Sequence, residues 1–324
     1  MENHYQTIPV RVTRIEAVTP LIKRFTLAPA DGGALPSFTG GSHVIVQMRD
    51  GERRYNNAYS LMSCPESLGS YQIGVRREAS SKGGSAFLHD RVKEGDLLAI
   101  TAPNNLFALA PEARHHVLVA GGIGITPFVS QMHELRRSGG SYELHYAFRA
   151  PEHGAFKDEL AAIAGESCGR VQTYVDSLGQ QLDLTALVGK LAEGAHVYVC
   201  GPAPLIEAVR DAAVGAGLAP DRVHWEQFAA PAQDGDAFTV VLAKSGKTVA
   251  VGANESILNA IERDGSVPVE CLCREGVCGT CETRILEGEA DHLDQYLSDT
   301  EKAAGRTMMI CVSRARTGTL VLDL

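Results

Sequence analysis

The sequence has little basic charge, few aromatic residues and no long apolar run. Its 324 residues hold 30 lysines and arginines against 39 aspartates and glutamates, a formal net charge of −9 at pH 7. Aromatic residues make up 6% of the chain, with a single tryptophan. A net acidic chain is a poor nucleic-acid binder, because contact with phosphates needs a basic surface. No apolar run approaches the roughly 20 residues that a membrane-spanning helix needs, which excludes that class.

The remaining composition is that of a globular protein of more than one domain. Hydrophobic residues make up 44% and charged residues 21%, enough apolar surface for a core. At roughly 100–200 residues per domain, the length predicts two or three domains. The segment Met1–Val10 has neither the basic start nor the apolar stretch of a signal peptide, so we expect a cytoplasmic protein.

Three regions of the chain differ in their hydrophobic pattern, and we expect a domain from each. Residues 1–112 contain short β-rich runs between glycine and proline turns, typical of a small antiparallel barrel or sandwich. Residues 113–228 alternate strand and helix patterns, which predicts a parallel α/β sheet. Residues 229–236 have the composition of a linker, and 237–324 begin with a hairpin pattern followed by a helix that Asn254 is expected to cap.

Five of the eight cysteines crowd into the last sixth of the chain. Starting at Cys273 they follow the spacing C-x4-C-x2-C, through Cys278 and Cys281, with Cys311 further along. This is the plant-type [2Fe–2S] spacing, in which one tight loop supplies three thiolates and a distant segment supplies the fourth. A structural zinc site more often has two C-x2-C or His pairs, and disulfides need an oxidising compartment. Cys271 offers an alternative first ligand in C-x6-C, but the spacing favours Cys273 and makes Cys271 a spectator thiol.

A glycine-rich turn follows the first strand pattern of the middle region. Its residues are Gly121, Gly122, Ile123 and Gly124, and a helix pattern begins at Thr126. A strand, a glycine turn and a helix N-terminus together present free N–H groups to an anion such as a pyrophosphate. A second strand pattern ends in Cys200, Gly201 and Pro202, and such sheets bind ligands at the carboxyl ends of their strands. No histidine–carboxylate pair near Cys200 in sequence would make it a covalent nucleophile.

The order of these features resembles the phthalate dioxygenase reductase family, within the wider ferredoxin reductase superfamily. The resemblance rests on the sequence Gly121–Pro127, on Cys200-Gly201-Pro202 and on the cysteine loop. It implies a multidomain fold with an antiparallel β-barrel flavin domain, an α/β nucleotide domain and an α+β plant-type ferredoxin domain. It also implies an NADH-dependent reductase that passes electrons through FMN and a [2Fe–2S] cluster to a Rieske-type oxygenase.

The resemblance also implies roles for individual residues. Thr126, Cys200 and Phe228 are the candidate catalytic residues, with Thr126 near the flavin and nicotinamide and Phe228 on the ring face. The flavin contacts implied for the barrel are Asn57, Tyr59, Ser60, Leu61, Val75, Arg76, Gly83, Gly84 and Ser85. The family commonly has an arginine where this chain has Asn56 and Asn57, with Arg53 and Arg54 just upstream. An uncharged amide would weaken phosphate binding unless an upstream arginine replaces the missing charge.

The sequence also bears on which nucleotide and which partner protein this chain uses. Asp176 ends a strand pattern and would bond a ribose hydroxyl while repelling a 2′-phosphate, which favours NADH. The partner is expected to be a Rieske-type oxygenase that a monomeric reductase contacts transiently; a cytochrome P450 or other monooxygenase, or a role as redox sensor, are the alternatives. An acidic set is either a docking face or a solvated surface: Glu282, Glu287, Glu289, Asp291 and Asp294.

Overall fold

The computed structural model describes residues 7–78, 82–230, 232–265 and 267–324. The chain divides into two compact units, Met1–Gln227 and Phe228–Leu324. The first unit holds an antiparallel and a parallel sheet, and the second holds a mixed sheet with two helices. The predicted fold classes are therefore confirmed, whereas the boundaries at residues 112, 228 and 236 stay predictions. Among the described residues, no helix has the length and apolar character needed to cross a membrane.

The first sheet is a six-stranded antiparallel barrel. Its strands, in the order β4-β3-β6-β1-β2-β5, are β1 (Thr7–Thr19), β2 (Ile22–Pro29), β3 (His43–Asp50), β4 (Arg53–Ser60), β5 (Tyr71–Arg76) and β6 (Leu97–Thr101). A bridge between Leu61 and Ile73 links the two outer strands. Alternate side chains such as Val10, Phe25 and Ile73 are fully buried inside, as the period of two requires. Helix α1 (Gly84–Asp90) follows β5.

The second sheet is parallel and five-stranded. Its strands, in the order β11-β10-β7-β8-β9, are β7 (His115–Gly121), β8 (Tyr142–Phe148), β9 (Gly169–Val175), β10 (Ala195–Cys200) and β11 (Val223–Glu226). The helices between them are α2 (Thr126–Ser138), α3 (Lys157–Gly165), α4 (Leu184–Val188) and α5 (Ala203–Gly215). In α2, Phe128, Met132 and Leu135 lie at helical spacing and are buried against the sheet. The central strands are buried and largely apolar because helices cover both faces, although β8 also carries the buried polar residues Glu143 and His145.

The second unit is built on a mixed sheet in the order β13-β12-β18-β14-β16. Its elements are β12 (Phe238–Leu242), β13 (Lys247–Val251), α6 (Ile257–Asp264), β14 (Glu282–Glu287), β15 (Ala290–Asp291), α7 (Asp299–Ala304), β16 (Thr307–Met309), β17 (Arg314–Ala315) and β18 (Thr319–Leu322). The expectation that Asn254 caps α6 is wrong. Ser256 precedes the first helical residue in an extended conformation, and its hydroxyl accepts from the backbone N–H of Asn259.

A buried arginine closes this unit. Arg314 is 2% exposed and lies over the ring of Phe238, with its Cζ 5.2 Å from the ring centroid. Its guanidinium donates to the backbone carbonyls of Asp236 at 2.9 Å and Gly252 at 3.0 Å, and also to that of Glu255. A buried charge is tolerated when its hydrogen bonds are satisfied. Arg314 thus joins the start of β12 to the loop before α6.

Candidate functional site

The structure gathers the five clustered cysteines into two groups. The sulfurs of Cys271, Cys281 and Cys311 all lie within 4.8 Å of one another. Cys273 and Cys278 interact as a separate pair, and the backbone N–H of Glu275 donates to the sulfur of Cys273 at 3.3 Å. The interaction between these two thiols lowers the pKa of Cys278 and raises that of Cys273. The four predicted ligands therefore fall into two pairs, and each of two irons would take one pair of thiolates.

Two glycines allow the cysteine loop to wrap tightly. Gly276 has φ +73°, and a Cβ there would come within 2.6 Å of the Val312 side chain. Gly279 has φ +78°, and a Cβ there would overlap the ring of Tyr296. At both positions the backbone conformation and the lack of space exclude a larger residue. This wrapped loop, whose donors are all thiols, fits a [2Fe–2S] cluster. It brings the three cysteines of the C-x4-C-x2-C motif into one site.

The nucleotide loop lies directly against the Cys-Gly-Pro turn. Gly121 ends β7, and Gly122–Ile125 form one turn of 3-10 helix before α2. A Cβ on Gly124 would lie 2.8 Å from the backbone nitrogen of Gly201 and would overlap the carbonyl of Cys200. A Cβ on Gly121 would come 2.8 Å from Pro202 Cδ. The two sequence motifs thus meet at the carboxyl edge of the sheet, where such sheets bind ligands.

Thr126 connects this edge to the barrel. It is 2% exposed, and its hydroxyl donates to the carbonyl of Ile123 at 3.0 Å, so its methyl group faces the other way. A Cβ on Gly74 of β5 would lie 2.8 Å from that methyl group. Strand β5 carries the predicted flavin residues Val75 and Arg76. The barrel strand predicted to follow the flavin and the loop predicted to hold the nucleotide are therefore in contact.

The predicted phosphate contacts also come together, at the start of α1. Gly83 precedes the helix with φ +105° and lies beside the ring of Tyr55. A Cβ on Gly84 would overlap the amide oxygen of Asn57, so the Asn57 side chain covers this turn. The Ser85 hydroxyl accepts from the backbone N–H of Glu78 at 3.1 Å. A left-handed glycine beside an amide side chain is a polar cradle of the kind that a phosphate needs, and it fits FMN.

The side-chain alternation of β4 bears on the missing arginine. Asn57, Tyr55 and Arg53 lie on one face of the strand, because successive side chains point to opposite faces. Arg54 lies on the other face. An upstream arginine that replaces the usual phosphate-binding charge is therefore Arg53 rather than Arg54. Lys82, immediately before Gly83, is a further exposed cation at this end of the barrel.

The rest of the flavin motif lies at the closure of the barrel. Ser60 and Leu61 are buried, and Leu61 pairs with Ile73 across the closing bridge. The half-buried Tyr59 packs against the barrel core. Val75 is fully buried and accepts a hydrogen bond from His89 Nε2 at 2.8 Å, whereas Arg76 is exposed.

A buried carboxyl group that the sequence reasoning missed completes this region. Glu226 ends β11, pairs in register with Cys200 and is 8% exposed. Burial raises its pKa to about 8, an effect partly offset by the nearby Ser60 hydroxyl. The pKa of the Cys200 thiol is also raised by burial, so Cys200 is a neutral packed thiol and not a nucleophile. Only the position of Glu226 at a strand end, two residues before Phe228, could have drawn attention to it.

Two other predicted residues, Asp176 and Phe228, lie at partly exposed positions. Asp176 lies directly after β9 and is exposed. The neighbouring Ser177 N–H donates to the backbone carbonyl of Arg149 at 2.8 Å, so the backbone at Arg149, which follows β8, lies next to the predicted ribose contact. Phe228 is 38% exposed, and its place on a flavin ring stays a prediction.

The acidic set of the second unit is only partly exposed. Glu282, Glu287 and Glu289 are exposed, and Asp291 pairs with Arg316 at 3.3 Å. Asp294 is 2% exposed and accepts from the Leu297 N–H at 2.8 Å and from the Ser313 hydroxyl at 3.2 Å. The prediction that Asp294 belongs to a docking face is therefore wrong. Its carboxylate is buried and bonds to Leu297 and Ser313 in the interior of the unit.

Together, a thiolate loop suited to two irons and a nucleotide edge that meets a flavin-type barrel define an electron-transfer oxidoreductase. Family comparisons agree with each part. Residues 118–211 match the oxidoreductase NAD-binding domain, and residues 240–316 match the 2Fe-2S iron-sulfur cluster binding domain.

Relatives extend the match to the whole chain. The chain is 54% identical over 325 residues to the carnitine monooxygenase reductase subunit of Acinetobacter baumannii, covering 100% of both chains. It is 55% identical over 320 residues to the corresponding subunit of Escherichia coli, covering 99% of both. The chain belongs to the phthalate dioxygenase reductase family, whose members are oxidoreductases.

Solved structures give the same result. The phthalate dioxygenase reductase structure, which transfers electrons from pyridine nucleotides to [2Fe–2S], matches with TM-score 0.72 and 37% identity over 98% of both chains. A self-sufficient cytochrome P450 monooxygenase matches with TM-score 0.82 and 37% identity over 98% of this chain, which spans 41% of that longer one. The predicted cofactor set of FMN, NADH and a [2Fe–2S] cluster is confirmed as that of this family.

Proposed function

We propose that this chain is the NADH-dependent reductase subunit of a Rieske-type monooxygenase that acts on carnitine or a close relative of it. The observation that carries this proposal is the contact between Gly74 of β5 and Thr126 of the nucleotide loop. It joins the flavin strand to the nicotinamide edge, so a hydride has a short path. Full-length identity of 54–55% to carnitine monooxygenase reductase subunits supports the choice of partner system.

Within this proposal the protein supplies binding and orientation. FMN when bound accepts a hydride, and a [2Fe–2S] cluster carries single electrons. Asn57, Gly83 and Gly84 hold the flavin phosphate, and Ser60 and Val75 lie along the flavin. Gly121, Gly124 and Gly201 bind the pyrophosphate of NADH. Asp176 bonds the ribose.

The proposed cluster ligands are Cys273 and Cys278 for one iron and Cys281 and Cys311 for the other. This pairing follows the two groups of sulfurs described above. The loop around them, with its two left-handed glycines, leaves no room for side chains larger than hydrogen at those positions. Four thiolates are the usual ligand set of such a cluster.

The oxygenase contact is proposed to be transient, made by a monomeric reductase through the exposed carboxylates Glu282, Glu287 and Glu289 of the second unit. Charged surfaces of this kind mainly accelerate encounter, and the effect is screened by salt. The second-order rate constant of electron transfer to the oxygenase should therefore fall as salt rises from 20 to about 200 mM. A rate independent of salt would remove these residues from the docking face, and light scattering would test the monomer.

A cytochrome P450 is the second candidate partner, because almost the whole chain superposes on part of a self-sufficient P450. Reconstitution decides between them. The reductase is mixed with the oxygenase component of the Acinetobacter carnitine monooxygenase system or with a bacterial P450, and NADH oxidation is followed with and without carnitine. The proposal expects carnitine-stimulated NADH oxidation with the first partner alone. Stimulation by the P450 alone would favour the second candidate, and slow turnover even with artificial acceptors would indicate a redox sensor.

A further inference from the structure

The fifth cysteine of the loop does not lie where the sequence suggests. By spacing, Cys271 competes with Cys273 for the first ligand position or is a spectator. In the structure its sulfur lies with those of Cys281 and Cys311, all three within 4.8 Å of one another. Cys273 faces Cys278 instead. Cys271 is thus the third thiol at one end of the ligand set.

We propose that Cys271 is a reserve ligand for the iron that Cys281 and Cys311 hold, able to take the place of either sulfur. The inference rests on the ligand set proposed above. It is specific to one end of the cluster, because the structure groups Cys271 with Cys281 and Cys311. The other iron has no such third thiol among the residues that the structure describes.

The position of Cys271 in the chain supports this role. It is half-buried, and it lies two residues before a proposed ligand, with the buried side chain of Leu272 between them. A thiol held this way stays near the metal at high effective concentration, so an exchange is intramolecular. Its sulfur remains near the cluster whenever Cys273 is bound.

The exchange is balanced without any oxidant or reductant. The bond between iron and the Cys311 or Cys281 sulfur breaks, and the departing thiolate takes up a proton. Cys271 loses its proton and its sulfur bonds to the same iron. The number of thiolates on that iron and the charge of the cluster are the same before and after.

Alanine variants test the proposal, since alanine, unlike serine, offers no oxygen ligand. Cys281→Ala and Cys311→Ala are each prepared alone and together with Cys271→Ala. Iron and acid-labile sulfide per chain are measured, with electron paramagnetic resonance of the reduced protein. The single variants should retain most of the cluster with altered g-values, and the double variants should lose it. Singles as empty as the doubles would overturn the proposal, provided that flavin content and circular dichroism show folded protein.

The opposite pair provides the matched control. Cys273→Ala should lose the cluster whether or not Cys271 is present, because the reserve thiol lies at the other end. If Cys273→Ala retained its cluster and this depended on Cys271, Cys271 would be the alternative first ligand and the proposal would be wrong. If it retained the cluster without Cys271, the proposed ligand set itself would fail.

A third measurement needs no ligand to be removed. Cys271→Ala keeps all four proposed ligands, and its cluster is bleached with an iron chelator under anaerobic conditions. Bleaching should be several-fold faster than in the native chain, because a transiently released ligand position is no longer refilled. Cys168→Ala, which removes an exposed thiol from the first unit, should bleach at the native rate. Equal rates for all three proteins would refute the reserve role.

Discussion

The cluster site and the flavin–nucleotide site are built in opposite ways. At the cluster, three of the four proposed ligands come from one short loop, and Cys311 alone is distant in sequence. At the flavin–nucleotide site, the residues come from the ends of β4, β5, β7, β10 and β11. The first site is fixed by spacing along the chain and the second by the packing of two sheets. Loss of Cys273 or Cys278 should therefore remove the cluster outright, whereas substitutions at the second site should reduce its activity by degrees.

The largest effect is expected at the cluster. Cys278→Ala should remove the [2Fe–2S] absorbance entirely. Flavin content should be retained, as should NADH oxidation with a dye that accepts electrons directly from the flavin. The reason is that each iron loses coordination if one of two thiolates is missing, whereas the flavin site lies in the other unit. Cys64→Ala, at a half-buried cysteine of the barrel, should keep the cluster. Loss of flavin along with the cluster would show that the two sites are not separable.

The next effect concerns the pH dependence of stability at Glu226. Its folded pKa of about 8 exceeds the ordinary 4.5, so the folded state holds a proton that the unfolded state releases. The contribution of Glu226 to the free energy of unfolding is therefore fully present below pH 4.5. It is lost as the pH rises to about 8, a fall of about 3–5 kcal/mol. Glu226→Gln should flatten the fall of Tm between pH 5 and 8. The exposed Glu207→Gln is the control, and an unchanged slope in Glu226→Gln would contradict the buried, protonated carboxyl.

A moderate effect is expected at the nucleotide loop. Gly124→Ala puts a Cβ against backbone atoms of Cys200 and Gly201, which cannot move as a side-chain end can. We expect kcat/KM for NADH to fall about 100-fold, or roughly 2.7 kcal/mol, with the cluster spectrum unchanged. Gly165→Ala, with no atom near the new Cβ, should behave as the native protein. Native kinetics in Gly124→Ala would remove this loop from the nucleotide site.

The smallest effect concerns nucleotide preference. Asp176→Ser removes an exposed carboxylate that would repel a 2′-phosphate. The ratio of kcat/KM for NADPH to that for NADH should rise about tenfold, or roughly 1.4 kcal/mol. Asp158→Ser, an exposed aspartate on α3, should leave the ratio unchanged. A native preference for NADPH would overturn the role given to Asp176.

The same contrast explains which elements of the fold could be predicted from the sequence. The alternation of strand and helix predicted for residues 113–228 is found as five parallel strands with their helices, because the buried central strands are largely apolar. The hairpin of β12 and β13 was found from its glycine turn. The short helix α4 was missed, since five residues show no helical period. The cap of α6 was misplaced because asparagine and serine are both good caps and only backbone conformation chooses between them.

Residues that depend on neighbouring strands could not be found along the chain. Glu226 becomes a buried acid only because β11 pairs with β10, which brings it beside Cys200. The backbone of Arg149 bonds to Ser177, next to Asp176, because β8 pairs with β9. Cys271 has an ordinary place in the sequence, and its grouping with Cys281 and Cys311 depends on the fold of the loop. Spacing predicts chemistry where one segment supplies it and misses chemistry shared between segments.

Arg314 has a wider consequence. Its guanidinium donates to the backbone carbonyl of Asp236, two residues before β12, at the end of the predicted linker. These bonds all lie within residues 228–324, so Arg314 fixes the start of the second unit from inside that unit. A substitution of Arg314 should therefore destabilise the second unit at the point where the chain enters it.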